Sequence, residues 1–270
     1  MIVLIRGGGD LASGIALRLY RAGLRIVMTE LPQPLAVRRL VSFSEAVYAG
    51  ETTVEGITAK RVNDPGDALR ILNVFAKGQI PVLIDPDGAA IRAVHPTVVV
   101  DARMLKQAVP LPEERINLLI GLGPGFTAAG NCHAAVETNR GHTLGRVYWT
   151  GGPQPDTGVP DAVQDQRIER VLRAPTDGEV VAHAQLGEII EAGQLIAEVD
   201  GQPVKAGFRG ALRGLLRTGV QVSEGLKIGD LDPRADSSLC WLVSDKSLAV
   251  AGGVLEAILT RSELRKSFWS

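Results

Sequence analysis

The sequence predicts an α/β protein in two parts: a mainly parallel sheet domain, then a small all-β unit. Three observations carry this reading. Apolar runs such as Ile2-Val3-Leu4-Ile5, Ile80-Pro81-Val82-Leu83-Ile84 and Val98-Val99-Val100 alternate with helix-length segments, as buried parallel strands do. A glycine- and proline-dense stretch from Gly151 to Pro160 interrupts the pattern. Beyond it, short strand-length pieces separated by glycines replace the strand–helix alternation.

Composition narrows the classes of function. The 270 residues suffice for one large domain or two moderate ones. A net charge of −1, with no basic run interleaved with aromatics, argues against a nucleic-acid surface. With only Cys132 and Cys240, a disulfide framework is not expected and a cytoplasmic home is the default. The first apolar run ends at Arg6, too short for a signal peptide, and no stretch reaches the length of a membrane span.

The first thirty residues organise the rest. Ile2–Ile5 reads as a buried strand, Arg6-Gly7-Gly8-Gly9-Asp10 as a glycine turn, and the run to Gly23 as a helix with Leu11, Ile15, Leu19 and Ala22 on one face. Arg25–Glu30 is a second buried strand. Gly7, Gly9 and Ala12 fit the dinucleotide fingerprint: a tight turn, a close approach of pyrophosphate to backbone, and close helix packing. The helix N-terminus beside Gly8 would supply free N–H groups and the positive end of the dipole. Glu30 falls roughly twenty residues on, where an acid meets the ribose hydroxyls. This context predicts a Rossmann-like domain over residues 1–160. Asp10 runs against ordinary dinucleotide binding, since a carboxylate there can fill the anion site itself, cap the helix, or hold a metal or ribose.

After Glu30, Pro32 and Pro34 forbid a regular helix, so the segment should loop over the strand ends and carry Arg38 and Arg39 toward a phosphate or carboxylate. A short helix follows from Ser42 to Ala49, with Ser42 or Ser44 as cap. Ile57–Val62 alternates like a strand, and Asp64-Pro65-Gly66-Asp67 opens a helix to Lys77. Asp85 and Asp101 each close a buried strand, at the end where such sheets bind ligands.

A second glycine turn, Gly121-Leu122-Gly123-Pro124-Gly125, follows the buried strand Asn117–Ile120. The run Ala128, Ala129, Cys132, Ala135, Val136 reads as a helix after it. Gly123 and Gly125 would then form a second anion-holding hollow, and the two hollows would share one ligand bearing several phosphates. On that helix His133 and Glu137 share a face. With Arg140 and His142 they are the candidate catalytic group, an imidazole pair with a carboxylate and a guanidinium. Their spacing matches no zinc pattern, and no metal site is assigned. Cys132, near the expected helix start, is read as either a low-pKa thiol or a small buried residue. Leu144–Trp149 gives a further strand, and a domain boundary is placed near residue 160.

Residues 165–232 contain an Ala174-Pro175-Thr176-Asp177-Gly178 opening and two glycine turns, around Gly187–Gly193 and Gly219–Gly225. They resemble the barrel-sandwich fold of biotinyl and lipoyl domains. The expected hairpin tip is Asp200-Gly201-Gln202, and Lys205 lies beyond it without methionine neighbours. A carrier-like shell without an attached cofactor is therefore expected, used for packing, for homo-oligomer formation or for covering the site. Residues 233–270 supply a helix over Ser247–Leu259, capped by Ser244. It is too apolar to stand alone and should return to the first domain. Gly252-Gly253 inside it predicts close backbone packing or a kink.

Five phrases together carry a family likeness: Arg6–Gly14, Glu30–Arg39, Gly123-Pro124-Gly125-Phe126, Glu137–His142 and Lys227–Arg234. They resemble the YqeB family, maturation proteins of the selenium-dependent molybdenum hydroxylase system. The resemblance implies an accessory role toward a molybdenum hydroxylase client. It assigns no catalytic residue and leaves the cofactor open, with NAD(P) or a molybdopterin dinucleotide as candidates. Two competing readings stand beside it: an NAD(P)-dependent oxidoreductase, for which no tyrosine–lysine hydride relay is evident, and a non-catalytic scaffold that docks a partner hydroxylase through the β unit.

Overall fold

A computed structural model describes residues 1–156 and 169–269. The boundary expected near residue 160 lies outside the described residues. The chain is a mixed α/β protein with one large, mainly parallel sheet and two small antiparallel sheets. It divides into two units. The first takes Met1–Pro34, Phe43–Asp156 and Val243–Ser270. The second takes Leu35–Ser42 with the described part of Thr157–Leu242.

In the first unit the chain runs β1 (Ile2–Arg6), α1 (Asp10–Arg21), β2 (Arg25–Glu30), α2 (Glu45–Ala49), β3 (Glu51–Val54), β4 (Ile57–Val62), α3 (Ala68–Ala76), β5 (Ile80–Ile84), α4 (Ala90–Val94), β6 (Val98–Asp101), β7 (Leu118–Leu122), β8 (Ala134–Val136) and β9 (Val147–Tyr148). The strand order is β3-β4-β5-β2-β1-β6-β7-β8-β9. From β4 to β8 every neighbour pair is parallel; β3 and β9 add antiparallel edges. Val3, Leu4 and Ile5 are wholly buried, as are Val98, Val99 and Val100. That is why these strands are continuous apolar runs rather than alternating ones. One face of the sheet packs Leu4, Val27, Leu83 and Val99 against Ile71, Val74, Ala90 and Ile91 of α3 and α4.

The second unit holds β10 (Val171–Arg173), β11 (Gly178–Ala182), β12 (Ile189–Ile190), β13 (Leu195–Val199), β14 (Gln202–Lys205), β15 (Gly210–Leu215), β16 (Gln221–Val222) and β17 (Lys227–Asp232). They form two antiparallel sheets, β10-β17-β15-β12 and β14-β13-β11-β16, around one apolar core. The β13–β14 tip is Asp200-Gly201, both at positive φ (47° and 75°), the backbone that an Asp-Gly hairpin turn prefers. Lys205 is exposed at the end of β14.

Helix α5 (Asp245–Thr260) belongs to the first unit and packs against α1; α6 (Ser262–Trp269) follows. The Ser244 hydroxyl accepts the Ser247 N–H at 3.1 Å, the expected cap. Both helices use glycine for approach: a Cβ at Gly14 would lie 2.6 Å from Ser247 Cβ, and one at Gly253 would lie against the Gly145 carbonyl oxygen. Among the described residues no helix is long and apolar enough to cross a membrane.

Two segments differ from the sequence reading. No helix follows the second glycine turn. Phe126 folds back over Gly121, whose missing Cβ leaves room for the ring. Asn131 then closes the loop, accepting the Thr127 N–H and donating to Val109 O and Gly125 O, and the run continues as β8. Small apolar residues suit either element, and the tertiary contact of Phe126 decides. The Leu35–Ser42 segment, in turn, joins the second unit, because the Leu215 N–H donates to Val37 O and the Arg39 Nε–H to Leu215 O.

Candidate functional site: charges at the carboxyl ends of the parallel strands

The sheet changes direction of growth at β1, with β2 on one side and β6 on the other. Chain connections on the two sides therefore run in opposite directions, the kind of position at which parallel sheets usually bind ligands. Gly7, at φ 100°, turns the chain after β1 and donates its N–H to Thr29 O at 2.9 Å. Its Cα side faces the Ala102 carbonyl, where a Cβ would sit 3.4 Å away.

The next residues are partly used by the protein itself. The Gly8 N–H donates to Glu30 Oε2 at 2.8 Å. The Gly8 carbonyl accepts the Ser44 N–H at 2.9 Å and the Ser13 hydroxyl at 3.1 Å. Ser13 Oγ in turn accepts the Phe43 N–H. A Cβ at Gly8 would meet Ser44 N at 3.0 Å, so a side chain there would have to push Ser44 back by a few tenths of an ångström. Gly9 is different: nothing lies within 4 Å of its Cβ position, and it sits at the N-cap of α1 with no side-chain cap. Asp10 Oδ1 accepts the neighbouring Leu11 N–H. The Ser44 hydroxyl is buried and has no hydrogen-bond partner among the described residues. Burial pushes the Glu30 carboxyl above its ordinary pKa, with the Leu31 and Gly8 amides offsetting part of the rise.

Beside this turn lies a row of charges in which the sequence reading named Asp85 and Asp101 but not Arg6 and Arg103. Arg6 and Asp101 are register partners at the ends of β1 and β6. Arg103 grips Asp101 with Nε at 2.9 Å and Nη2 at 2.6 Å. Arg6 Nη1 stands 3.6 Å from Asp101 Oδ2. The Asp85 carboxylate is occupied by the Ala89 and Ala90 N–H groups at the head of α4. Burial lowers the Arg6 pKa first, and the nearby Arg103 charge lowers it further. The available signal was positional: an arginine closing one buried strand and an aspartate closing another.

The second turn is filled from within. The Gly123 N–H donates to Val136 O. A Cβ at Gly125 would meet Leu105 O at 2.5 Å and Gln107 O at 2.7 Å. With no helix after it, this turn does not present the second anion hollow expected of Gly123 and Gly125.

The expected catalytic group does not share a helix face: His133 precedes β8, and Glu137, Arg140 and His142 follow it. His133 Nδ1 accepts the Leu119 N–H at 2.9 Å; burial and then Arg261 lower its pKa. Glu137 is buried, and its carboxylate accepts the N–H groups of Thr138, Asn139 and Gln154, each at 2.8 Å. Arg140 pairs with both oxygens of Asp245. His142 is exposed. Arg38 and Arg39 belong to the second unit, where they donate to Leu242 O and Leu215 O. Cys132 is buried and its thiol is pushed up to about 11, which makes it an inert core residue rather than a nucleophile.

No protein-family model matches the chain. Over 258 residues, 96% of its length, it is 43% identical to "Uncharacterized protein YqeB" of Escherichia coli (strain K12). It spans about half of that relative, 47% of its length. Among solved structures it aligns with an aspartoacylase family protein of Mesorhizobium loti at 11% identity, covering 85% of this chain and 84% of that one, with a TM-score of 0.26. It also aligns with the ectoine utilization protein EutE (DoeB) of Ruegeria pomeroyi at 12% identity, with 85% and 84% covered and a TM-score of 0.24. Scores of that size carry no argument about fold or function.

Proposed function

We propose, on the premise that 43% identity over 96% of the chain supports membership of the YqeB family, that this protein is an accessory factor for a molybdenum hydroxylase. Its first unit, read as a Rossmann-like domain, binds an anionic ligand of nucleotide type at the carboxyl ends of β1 and β6. The second unit is read as a barrel-sandwich-like shell with no carrier lysine. One observation supports the ligand site above the others: the glycine turn, with Gly9 open at the head of the 12-residue α1, stands where the strand order reverses.

The geometry also trims the ligand's pose. Glu30 holds the Gly8 N–H and residues 43–44 cover its carbonyl, so a phosphate approaches through Gly9 and the α1 amides rather than through Gly8. A molybdopterin dinucleotide or a simple nucleotide meets that requirement equally, since both present a pyrophosphate or phosphate ester.

Thermal unfolding of the full chain with NAD, NADP, CTP, ATP and a molybdopterin dinucleotide tests this. A ligand at about a hundred times its Kd should stabilise by about 2.7 kcal/mol and raise the melting temperature measurably. Gly9→Asp, which places a carboxylate in the approach, should abolish the rise. No shift with any of the five at millimolar concentration overturns the reading.

A further inference from the structure

The glycine turn is not the only unfilled feature at the strand ends. Arg6 carries five N–H donors on a side chain only 16% exposed. Among the described residues its guanidinium has no hydrogen-bond acceptor, only Asp101 at 3.6 Å. Asp101 is itself 4% exposed, and Arg103 already engages both of its oxygens. Two guanidiniums are thus held beside one carboxylate that satisfies one of them. Asp85 and Glu114 offset part of the burial through their charge but do not hydrogen-bond the Arg6 fork; the Asp85 oxygens accept the Ala89 and Ala90 amides. Glu114 stands closer to Arg92, which it binds at 2.5 Å. Gly88 borders the Arg6 fork, and a Cβ there would lie 3.2 Å from Nη2. The Gly88 backbone therefore lies against that edge of the fork, and a side chain there would press on it.

Arg6 is thus ion-paired with Asp101 but leaves its guanidinium N–H donors without a protein acceptor among the described residues. A planar fork with free donors next to a second fork is the arrangement that binds oxyanions bidentately. We infer that Arg6 and Arg103 form an oxyanion subsite, for a phosphate or carboxylate, on the α4-facing side of the β1 and β6 ends. It is separate from the Gly9 approach: Arg6 and Asp101 lie on the sheet face of Leu4 and Val99, which pack against α3 and α4. A ligand spanning both would carry two anionic groups, so the subsite deepens the proposed function without depending on it.

The test uses the full chain and three probes at constant ionic strength: inorganic phosphate, succinate and ADP, titrated by calorimetry. Saturable binding of phosphate or succinate is expected, and which of the two binds more tightly names the oxyanion. Arg103→Gln and Arg6→Gln should each weaken that binding by about tenfold to a hundredfold, the range for a lost hydrogen bond to a charged group. Circular dichroism verifies folding; if Arg6→Gln fails to fold, the half-exposed Arg103→Gln decides alone. Absence of saturable binding by both small anions, or unchanged binding in Arg103→Gln, overturns the subsite. The outcomes separate from those of the nucleotide reading. Phosphate bound through the arginines while no nucleotide shifts the melting point leaves the subsite standing. ADP bound equally by wild type and Arg103→Gln, with phosphate and succinate ignored, leaves only the glycine turn.

Discussion

Each unit buries a carboxylate among arginines, and the two clusters end in opposite states. In the second unit Arg213 donates three hydrogen bonds, from Nε and Nη2 to Asp230 and from Nη1 to Asp232. Arg170 adds another to Asp230 and Arg234 closes on Asp232. In the first unit Asp101 is as deeply placed, yet Arg6 beside it donates none. The residue types are the same and the aspartates are comparably buried, so neither distinguishes the clusters. What distinguishes them is that Arg213, Arg170 and Arg234 hydrogen-bond their carboxylates, whereas Arg6 meets Asp101 only as an ion pair at 3.6 Å. The second unit's network fixes β15 to β17; the fork at the end of β1 keeps donors for the oxyanion inferred above.

The largest expected effect lies on the hydrogen-bonded side. Arg213→Met leaves two carboxylates, each 1% exposed, short of their shared partner. Breaking a buried pair by removing one member costs about 3–5 kcal/mol. Guanidinium unfolding of the full chain should show a loss of that order. A loss below about 1 kcal/mol, the range of exposed pairs, would show that the network contributes little and would dissolve the contrast.

An intermediate effect should appear as a pH dependence of opposite sign in the two units. For Asp230, burial pushes the carboxyl up, but Lys227, Arg213 and Arg170 together outweigh it and hold it below the ordinary range. For Asp232, burial is likewise overcome, by Arg234 and Arg213. A folded-state pKa below the unfolded one, about 3.9 for aspartate, gives stability that is present above that value and lost as pH falls through the folded one. Glu30 has the reverse sign. Its folded-state pKa lies above the unfolded value of about 4.3, so its contribution is present below that value and lost as pH rises through the folded one. Acid titration of stability should therefore be flatter below about pH 4 in Asp230→Asn than in wild type. Glu30→Gln should gain on wild type as pH rises from about 4 toward 7. Parallel profiles for wild type and both variants would remove the electrostatic account.

Much of this frame was legible in the sequence. The continuous apolar runs marked β1, β2, β5, β6 and β7, Asp200-Gly201 marked a hairpin, and Ser244 marked a helix start, because each signal is local. What escaped was non-local. The run from Ala128 to Val136 suits a helix until Phe126 is known to lie over Gly121. That Leu35–Ser42 belongs to the second unit shows only once Val37 is seen paired with Leu215. His133, Glu137, Arg140 and His142 look like a cluster only if a helix stacks them. Arg6 was in plain view as the last residue of a strand, but its meaning depends on Asp101 and Arg103, which fold brings beside it.

The smallest expected effect is the sharpest test of the contrast. Arg6→Met removes a guanidinium that makes no hydrogen bond and leaves Asp101 with the Arg103 fork intact. The methionine keeps the apolar stem and sheds the cost of a desolvated charge. The change in unfolding free energy should stay within about 1 kcal/mol, or favour the variant, as when a buried charge is replaced by a well-packed apolar chain. Arg6 would then be a residue whose retention folding does not require, which is what a binding group is. If Arg6→Met instead costs as much as Arg213→Met, the fork at the end of β1 is structural, and the two clusters are of one kind.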